Sequence, residues 1–275
     1  MVTQAVGVEY RGQSVGAVSF DTDRGVGAFE YDTSFLNSGI ELSPLMMPLK
    51  KGVYQFPSLN FETYKGLPGL VADSLPDDFG DAILNAWAAS AGRQPREISP
   101  LERLQFTGIR GMGALEYHPV QSFRGLNTSQ QIHVDELVSV AQDVLNQRSD
   151  FSVNLPNDGT ADPQAMMALL SVGTSAGGAR PKAVLAFDEK FTEVRSGQTD
   201  VPEGFDHYLL KFDGVSEHNK HKETFGDPMG FGAMEYVYYR MARLCKIDMT
   251  YCNLLKEGNR RHLLRPILPT SPQHH

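Results

Sequence analysis

The run Val172-Gly-Thr-Ser-Ala-Gly-Gly-Ala-Arg-Pro-Lys-Ala183 decides how this chain is read. Consecutive small residues let backbone N–H groups converge on an anion without obstruction by side chains, and Lys182 closes the run with a compact positive charge. It is not a Walker A loop, because Gly178 is followed by Ala179 rather than by lysine. A flexible entry to a hairpin would explain the same spacing. Its meaning therefore depends on what comes next. Ala183-Val-Leu-Ala-Phe187 and Phe191-Thr-Glu-Val-Arg195, joined by Asp188-Glu-Lys190, predict a β-hairpin. His207-Tyr-Leu-Leu-Lys-Phe212 predicts a third strand, with His207, Leu209 and Lys211 on one face and Tyr208, Leu210 and Phe212 on the other.

An ammonium in such an apolar strand needs a counter-ion. Glu235 is the candidate, on a helix expected from about Phe231 to Lys246 whose apolar stripe of Met234, Val237, Met241 and Leu244 reads as its buried face. Glycine loop, hairpin, strand lysine and helix glutamate follow the order of parts in a kinase small lobe, where a Lys–Glu pair positions nucleotide phosphates. Alone, the pair could be a surface ion pair worth at most about 1 kcal/mol. Together with the glycine loop it points to nucleotide binding.

Working outward, 275 residues allow two domains or one large one. A 41% apolar and 21% charged composition, with 26 Gly and 16 Pro, excludes a disordered tail, a collagen-like rod and a small disulfide scaffold. The net charge of −8 disfavours a surface that grips a nucleic-acid backbone. Cys245 and Cys252 lack a zinc-type pattern and read as reduced core thiols. Met1–Tyr10 has neither a basic nor an apolar leader segment, and no stretch approaches a membrane span, so a cytoplasmic protein without membrane contact is expected.

Val15-Gly-Ala-Val-Ser-Phe20 and Gly27-Ala-Phe-Glu-Tyr31 predict a β-meander, followed by packed loops through Pro44, Pro48, Pro57 and Pro68. Ser74-Leu-Pro-Asp77 predicts a helix start with a serine cap, and Phe79, Ile83, Leu84, Trp87 and Ala91 recur at helical spacing up to a stop at Gly92. Further helices are expected over Leu101–Thr107, His133–Gln147 and from Asp162-Pro163 to Ser171, with a strand after the glycine turn at Gly111 and a hinge from Phe151 to Thr160. The fold class is α+β. A β-rich amino-terminal subdomain (residues 1–125) precedes a kinase-like small lobe of glycine loop, antiparallel strands and one helix (126–262) and an irregular proline-rich tail (263–275).

The run 172–183, Tyr208-Leu-Leu-Lys-Phe212 and Glu235-Tyr-Val-Tyr-Tyr-Arg-Met-Ala-Arg-Leu244 together resemble the HipA family of serine/threonine kinase toxins. Gly69-Leu-Val-Ala-Asp-Ser-Leu-Pro-Asp-Asp-Phe-Gly80 and Met112-Gly-Ala-Leu-Glu-Tyr117 look like that family's amino-terminal subdomain, so the resemblance runs from about residue 5 to residue 262. It implies an ATP- and Mg²⁺-dependent kinase of a type II toxin–antitoxin system, phosphorylating a protein such as an aminoacyl-tRNA synthetase. It also implies restraint by a helix-turn-helix antitoxin through which alone DNA is contacted. By the same resemblance Gly177, Gly178, Ala179, Arg180, Pro181 and Lys182 would meet the phosphates, Lys211 would pair with them, and Glu235 would orient Lys211. Ser175 matches the loop serine that the family autophosphorylates, with Thr174 an equally accessible acceptor; a phosphate there would expel the loop from its nucleotide-binding pose.

A kinase also needs an aspartate base and an acidic Mg²⁺ ligand after the helix, and beyond Asp248 this sequence has no aspartate. Pro266, Pro269 and Pro272 argue against a central strand in the tail, since each removes a ladder donor. His218 and His221 have metal-pair spacing but no completing carboxylate or thiol, so no metal site is assigned. The expectation is a chain that retains part of a phosphate site and is inactive alone. The alternative is a non-enzymatic module that binds the antitoxin or another protein.

Overall fold

Alternation of buried and open residues along Ala5–Tyr10 (β1), Gln13–Asp21 (β2) and Val26–Tyr31 (β3) builds an antiparallel meander in the computed structural model, which describes residues 5–90, 92–119, 131–148, 163–173, 180–216 and 226–267. Val53–Tyr54 (β4) pairs with β3. Two single turns follow, Phe61–Tyr64 (α1) and Gly69–Ala72 (α2). The next helix, Asp78–Ser90 (α3), belongs to a second compact unit, and the chain then returns through Pro100–Thr107 (α4) to Leu115–His118 (β5), which pairs with β1. The first sheet has the order β4-β3-β2-β1-β5. Its inner face packs Val6, Val8, Val18, Phe29, Leu115 and Tyr117 against Leu67, Val71, Leu101 and Leu104. A full capping box at Ser99 and Glu102, with Pro100 in the first turn, starts α4.

The first unit takes Met1–Pro76 and Gln94–Ser122, and the second takes Asp77–Arg93 and Phe123–His275. The single boundary near residue 125 drawn from the sequence is thus divided. The apolar face of α3 (Phe79, Ile83, Leu84) is buried with the second unit because α3 packs on Val134–Arg148 (α5) and Pro163–Val172 (α6). Its start differs from expectation as well. The cap is Asp77, whose Oδ1 accepts the Gly80 N–H at 2.8 Å, while Ser74 Oγ accepts the Tyr117 hydroxyl at 2.8 Å. Gly92, at φ +75, ends α3 as its sequence foretells.

The second unit's main sheet comprises Lys182–Asp188 (β6), Val194–Ser196 (β7), Phe205–Lys211 (β8), Asn253–Glu257 (β11) and Arg260–Pro266 (β12). A two-stranded ladder of Val215–Ser216 (β9) and Gly226–Asp227 (β10) and the helix Phe231–Leu244 (α7) lie between β8 and β11 in sequence. The order is β11-β12-β8-β6-β7, every pair antiparallel. The tail expected to be irregular from residue 263 is a strand as far as Pro266, lying between β11 and β8. The first of the three prolines, Pro266, enters the ladder, while Pro269 and Pro272 lie outside the described residues. Pro266 sits at the strand's last position opposite Tyr208, and pairing resumes at once with Ile267 N–H to His207 O at 2.8 Å. No helix among the described residues is long and apolar enough to cross a membrane.

Candidate functional site

Strand β8 carries Lys211 at its end, and α7 carries Glu235 just over one turn from its start. The Lys211 ammonium donates to both carboxylate oxygens, at 2.7 Å to Oε2 and 3.0 Å to Oε1, with roughly a quarter of each side chain open to solvent (26% and 28%). Arg180 joins from the end of the glycine run, its guanidinium 3.4 Å from Glu235 Oε1 and stacked 5.4 Å from the centre of the Phe231 ring. Glu235 therefore gathers two cations beside the entry to β6. Both cations remain partly open to solvent, Lys211 at 26% and Arg180 at 46%.

The pair is held by a buried device that the sequence did not reveal. Asp213, two residues past Lys211 and 1% exposed, accepts N–H bonds at Oδ1 from Gly230 (2.7 Å) and Gly232 (3.5 Å), and at Oδ2 from Arg261 (3.0 Å). Its own N–H donates to His262 Nδ1 at 2.9 Å. Gly230 offers no side chain to cap α7, so Asp213 caps it from a distance. The end of β8, the start of α7 and the middle of β12 are thereby fastened together, fixing the helix that bears Glu235 against the strand that bears Lys211. Burial pushes the His262 imidazole below its ordinary range, against the opposing pull of Glu257 at 3.5 Å. With both oxygens bonded to backbone amides, Asp213 is not placed to take a cation.

Lys182 has a different environment from Lys211, its partner in the ladder. Its ammonium lies 2.9 Å from Asp77 Oδ2, and both side chains are nearly closed to water, at 6% and 9% exposed. Expected at the phosphates, it instead joins the start of β6 to the cap of α3. Pro181 contributes its carbonyl, which accepts the Phe212 N–H at 3.2 Å. Ser175, Thr174, Gly177, Gly178 and Ala179 lie outside the described residues, as do His218, His221 and the 151–160 hinge. Of the expected site residues, Arg180, Lys211 and Glu235 come together. Asp77, Asp213 and His262 were not singled out as site residues; Asp77 entered the sequence reading only as part of a helix start whose cap was expected at Ser74.

Two family models match. Residues 6–118 match the HipA N-terminal domain and residues 174–265 the HipA-like C-terminal domain. The chain belongs to the HipA family. Comparison with curated proteins yields no match. Among solved structures, this HipA-family chain is similar to a chain from "Shewanella oneidensis MR-1 Toxin Antitoxin System HipA, HipB and its operator DNA complex", with TM-score 0.52 and 17% identity. The similarity covers 98% of this chain and 52% of the other, so the HipA-family sequence described here spans about half the length of that relative.

Two expectations for α7 and its surroundings are corrected by the geometry. Met234, Val237, Met241 and Leu244, read as the buried stripe, are all exposed; Gly232 and Tyr239 are the buried positions, with Tyr236 packed beside Tyr239. The helix turns this face inward because Gly232 lets its backbone close on Arg261 of β12, where a Cβ would run into the carbonyl oxygen. Cys245, read as a core thiol, is exposed just past the end of α7, whereas Cys252 is buried; both are free thiols.

Proposed function

We propose that this chain is the nucleotide-binding portion of a HipA-type serine/threonine kinase toxin, and that it grips the phosphates of ATP between the 174–179 loop and the Lys211 ammonium. The observation that carries this reading is the bidentate Lys211–Glu235 pair next to Arg180, at the point where the glycine run enters β6. An ammonium held by one carboxylate and open on one side is suited to an incoming phosphate, which it can approach without losing its orienting partner. Ser175 would be the acceptor whose phosphorylation disables the loop, by placing charge where the ATP phosphates lie.

Transfer is assigned elsewhere. Among the described residues near the pair, Glu235 is engaged by two cations and Asp213 by three backbone amides, so neither fits a Mg²⁺ site. Catalytic base and Mg²⁺ ligands would come from the additional half that the Shewanella relative possesses. By the same reading a kinase holding both halves phosphorylates a protein substrate, an aminoacyl-tRNA synthetase being one, and a helix-turn-helix antitoxin of HipB type restrains it and supplies the DNA contacts.

Isothermal titration of the purified chain with ATP tests the first part. Saturable binding that Lys211→Met abolishes is expected, with no label transferred from γ-labelled ATP and Mg²⁺ to Ser175. Robust autophosphorylation would show that a base exists within this chain. The half-length match also favours a second reading, a non-enzymatic module that holds the antitoxin; binding of a HipB-type protein without any ATP binding would select it.

A further inference from the structure

We propose that Glu9, Glu116 and His118 form a binding site for a divalent cation of the zinc type, which clips the edge strand of the first sheet to its neighbour. This site lies in the first compact unit and owes nothing to the nucleotide reading. Register creates it: Glu9 of β1 stands opposite Glu116 of β5, and Gly7 opposite His118, so all three side chains fall on one face. The other face of the same strands is the core, with Val6, Val8, Leu115 and Tyr117 buried. Beside Glu9 the β1–β2 register is interrupted by a bulge, an irregularity of the kind that re-aims side chains.

One donor atom from each residue converges to within 4.8 Å of the others. His118 Nε2 lies 3.5 Å from Glu9 Oε2 and 3.9 Å from Glu116 Oε2. Around a tetrahedral zinc with bonds of about 2.0–2.1 Å, donor atoms sit about 3.3 Å apart, so small side-chain rotations complete the set. Two carboxylates directly across an antiparallel pair repel one another, and a cation between them removes that penalty. A second observation separates this cluster from an ordinary solvated acidic patch. The His118 Nε2 atom makes no hydrogen bond and is itself covered, although the side chains of His118, Glu9 and Glu116 are 37%, 35% and 42% exposed, and it lies within 3.9 Å of a carboxylate oxygen of each glutamate. A ligand that accepts an imidazole lone pair and two carboxylate oxygens answers that arrangement, and imidazole with carboxylate and no thiolate suits zinc or a similar first-row divalent ion.

Three protein ligands leave a coordination position for water. The consequence is mechanical: β5 is held to the sheet by β1 alone, through four ladder pairs, and the chelate would tie residue 9 to residues 116 and 118 across a long intervening chain. The test is a calorimetric titration of the metal-stripped full chain with ZnCl₂, repeated for Glu9→Gln, Glu116→Gln and His118→Asn, with far-ultraviolet circular dichroism confirming each fold. One equivalent of zinc at this site, weakened at least about tenfold in all three variants, together with a Tm that rises on zinc and falls back on EDTA, is the expected result. Absence of zinc binding overturns the proposal. So does wild-type affinity in any one of the folded variants, because the ion would then be held elsewhere.

Discussion

The ammonium of Lys182 and the carboxylate of Asp77 lie 2.9 Å apart and are both almost sealed from water, joining the first residue of β6 to the cap of α3. Ion pairs at this depth resist the loss of one partner more than the loss of both, since a lone buried charge keeps its desolvation penalty. Asp77→Ala should therefore destabilise the chain by about 3–5 kcal/mol, and the lost cap adds about 1 kcal/mol. Combining it with Lys182→Met should recover part of that loss. Urea unfolding midpoints of the three variants check the order; additive losses would count against a coupled pair.

Lys211 and Glu235 should behave in the opposite way. With about a quarter of each side chain open to solvent (26% and 28%), the pair is screened, and Glu235→Gln should cost no more than about 1 kcal/mol of stability. If the pair positions phosphates, the same substitution should weaken ATP binding about tenfold, roughly 1.4 kcal/mol. Thermal unfolding and ATP titration on one protein sample separate the two effects.

Acid should loosen the second unit through His262. Its imidazole accepts the Asp213 N–H at Nδ1, so a proton can be added there only by breaking that bond, and burial lowers its pKa in the folded chain. The unfolded histidine titrates near about 6.5. Below that value the unfolded state takes up a proton that the folded state refuses, so stability is fully present above about pH 6.5 and declines as pH falls through the lower folded value. His262→Asn should cost about 1 kcal/mol at pH 7.5 and flatten the slope of Tm between pH 7 and 5.

At Gly232 the prediction is steric. Alanine would push its Cβ into the carbonyl oxygen of Arg261, forcing α7 away from β12 and disturbing the Gly232 N–H bond to Asp213. A loss of about 1–3 kcal/mol is expected, with a parallel fall in ATP affinity because Glu235 rides on the displaced helix. Alanine at exposed Met241, on the same helix but facing outward, should leave both nearly unchanged.

Local patterns read well where one physical preference dominated. The meander, α3, α4, α5, α6 and the β6–β7 hairpin follow from alternation, helical spacing and the stop at Gly92, and the cross-element pairing of Lys211 with Glu235 follows from the need to neutralise an ammonium in an apolar strand. Helix α7 shows the limit of that approach. Its periodicity is plain, but two faces compete for the core, one of methionine, valine and leucine and one of glycine and tyrosine. The second is buried because close backbone approach at Gly232 and the Asp213 cap dictate how the helix lies. Pro266 was misjudged for a related reason: a missing donor matters only where the ladder needs one.

The amino-acid order by itself determined the α+β class, most element positions and the Lys211–Glu235 pairing, because each rests on short-range periodicity or on an obligatory charge partner, and its motifs carried the resemblance to the HipA family. Only the tertiary structure decided that α3 belongs with α5 and α6, that Lys182 answers Asp77, that Asp213 locks three elements and that Glu9, Glu116 and His118 converge. Those relations join residues far apart in the chain, and they are set by which surfaces close on one another, a choice that no local pattern encodes.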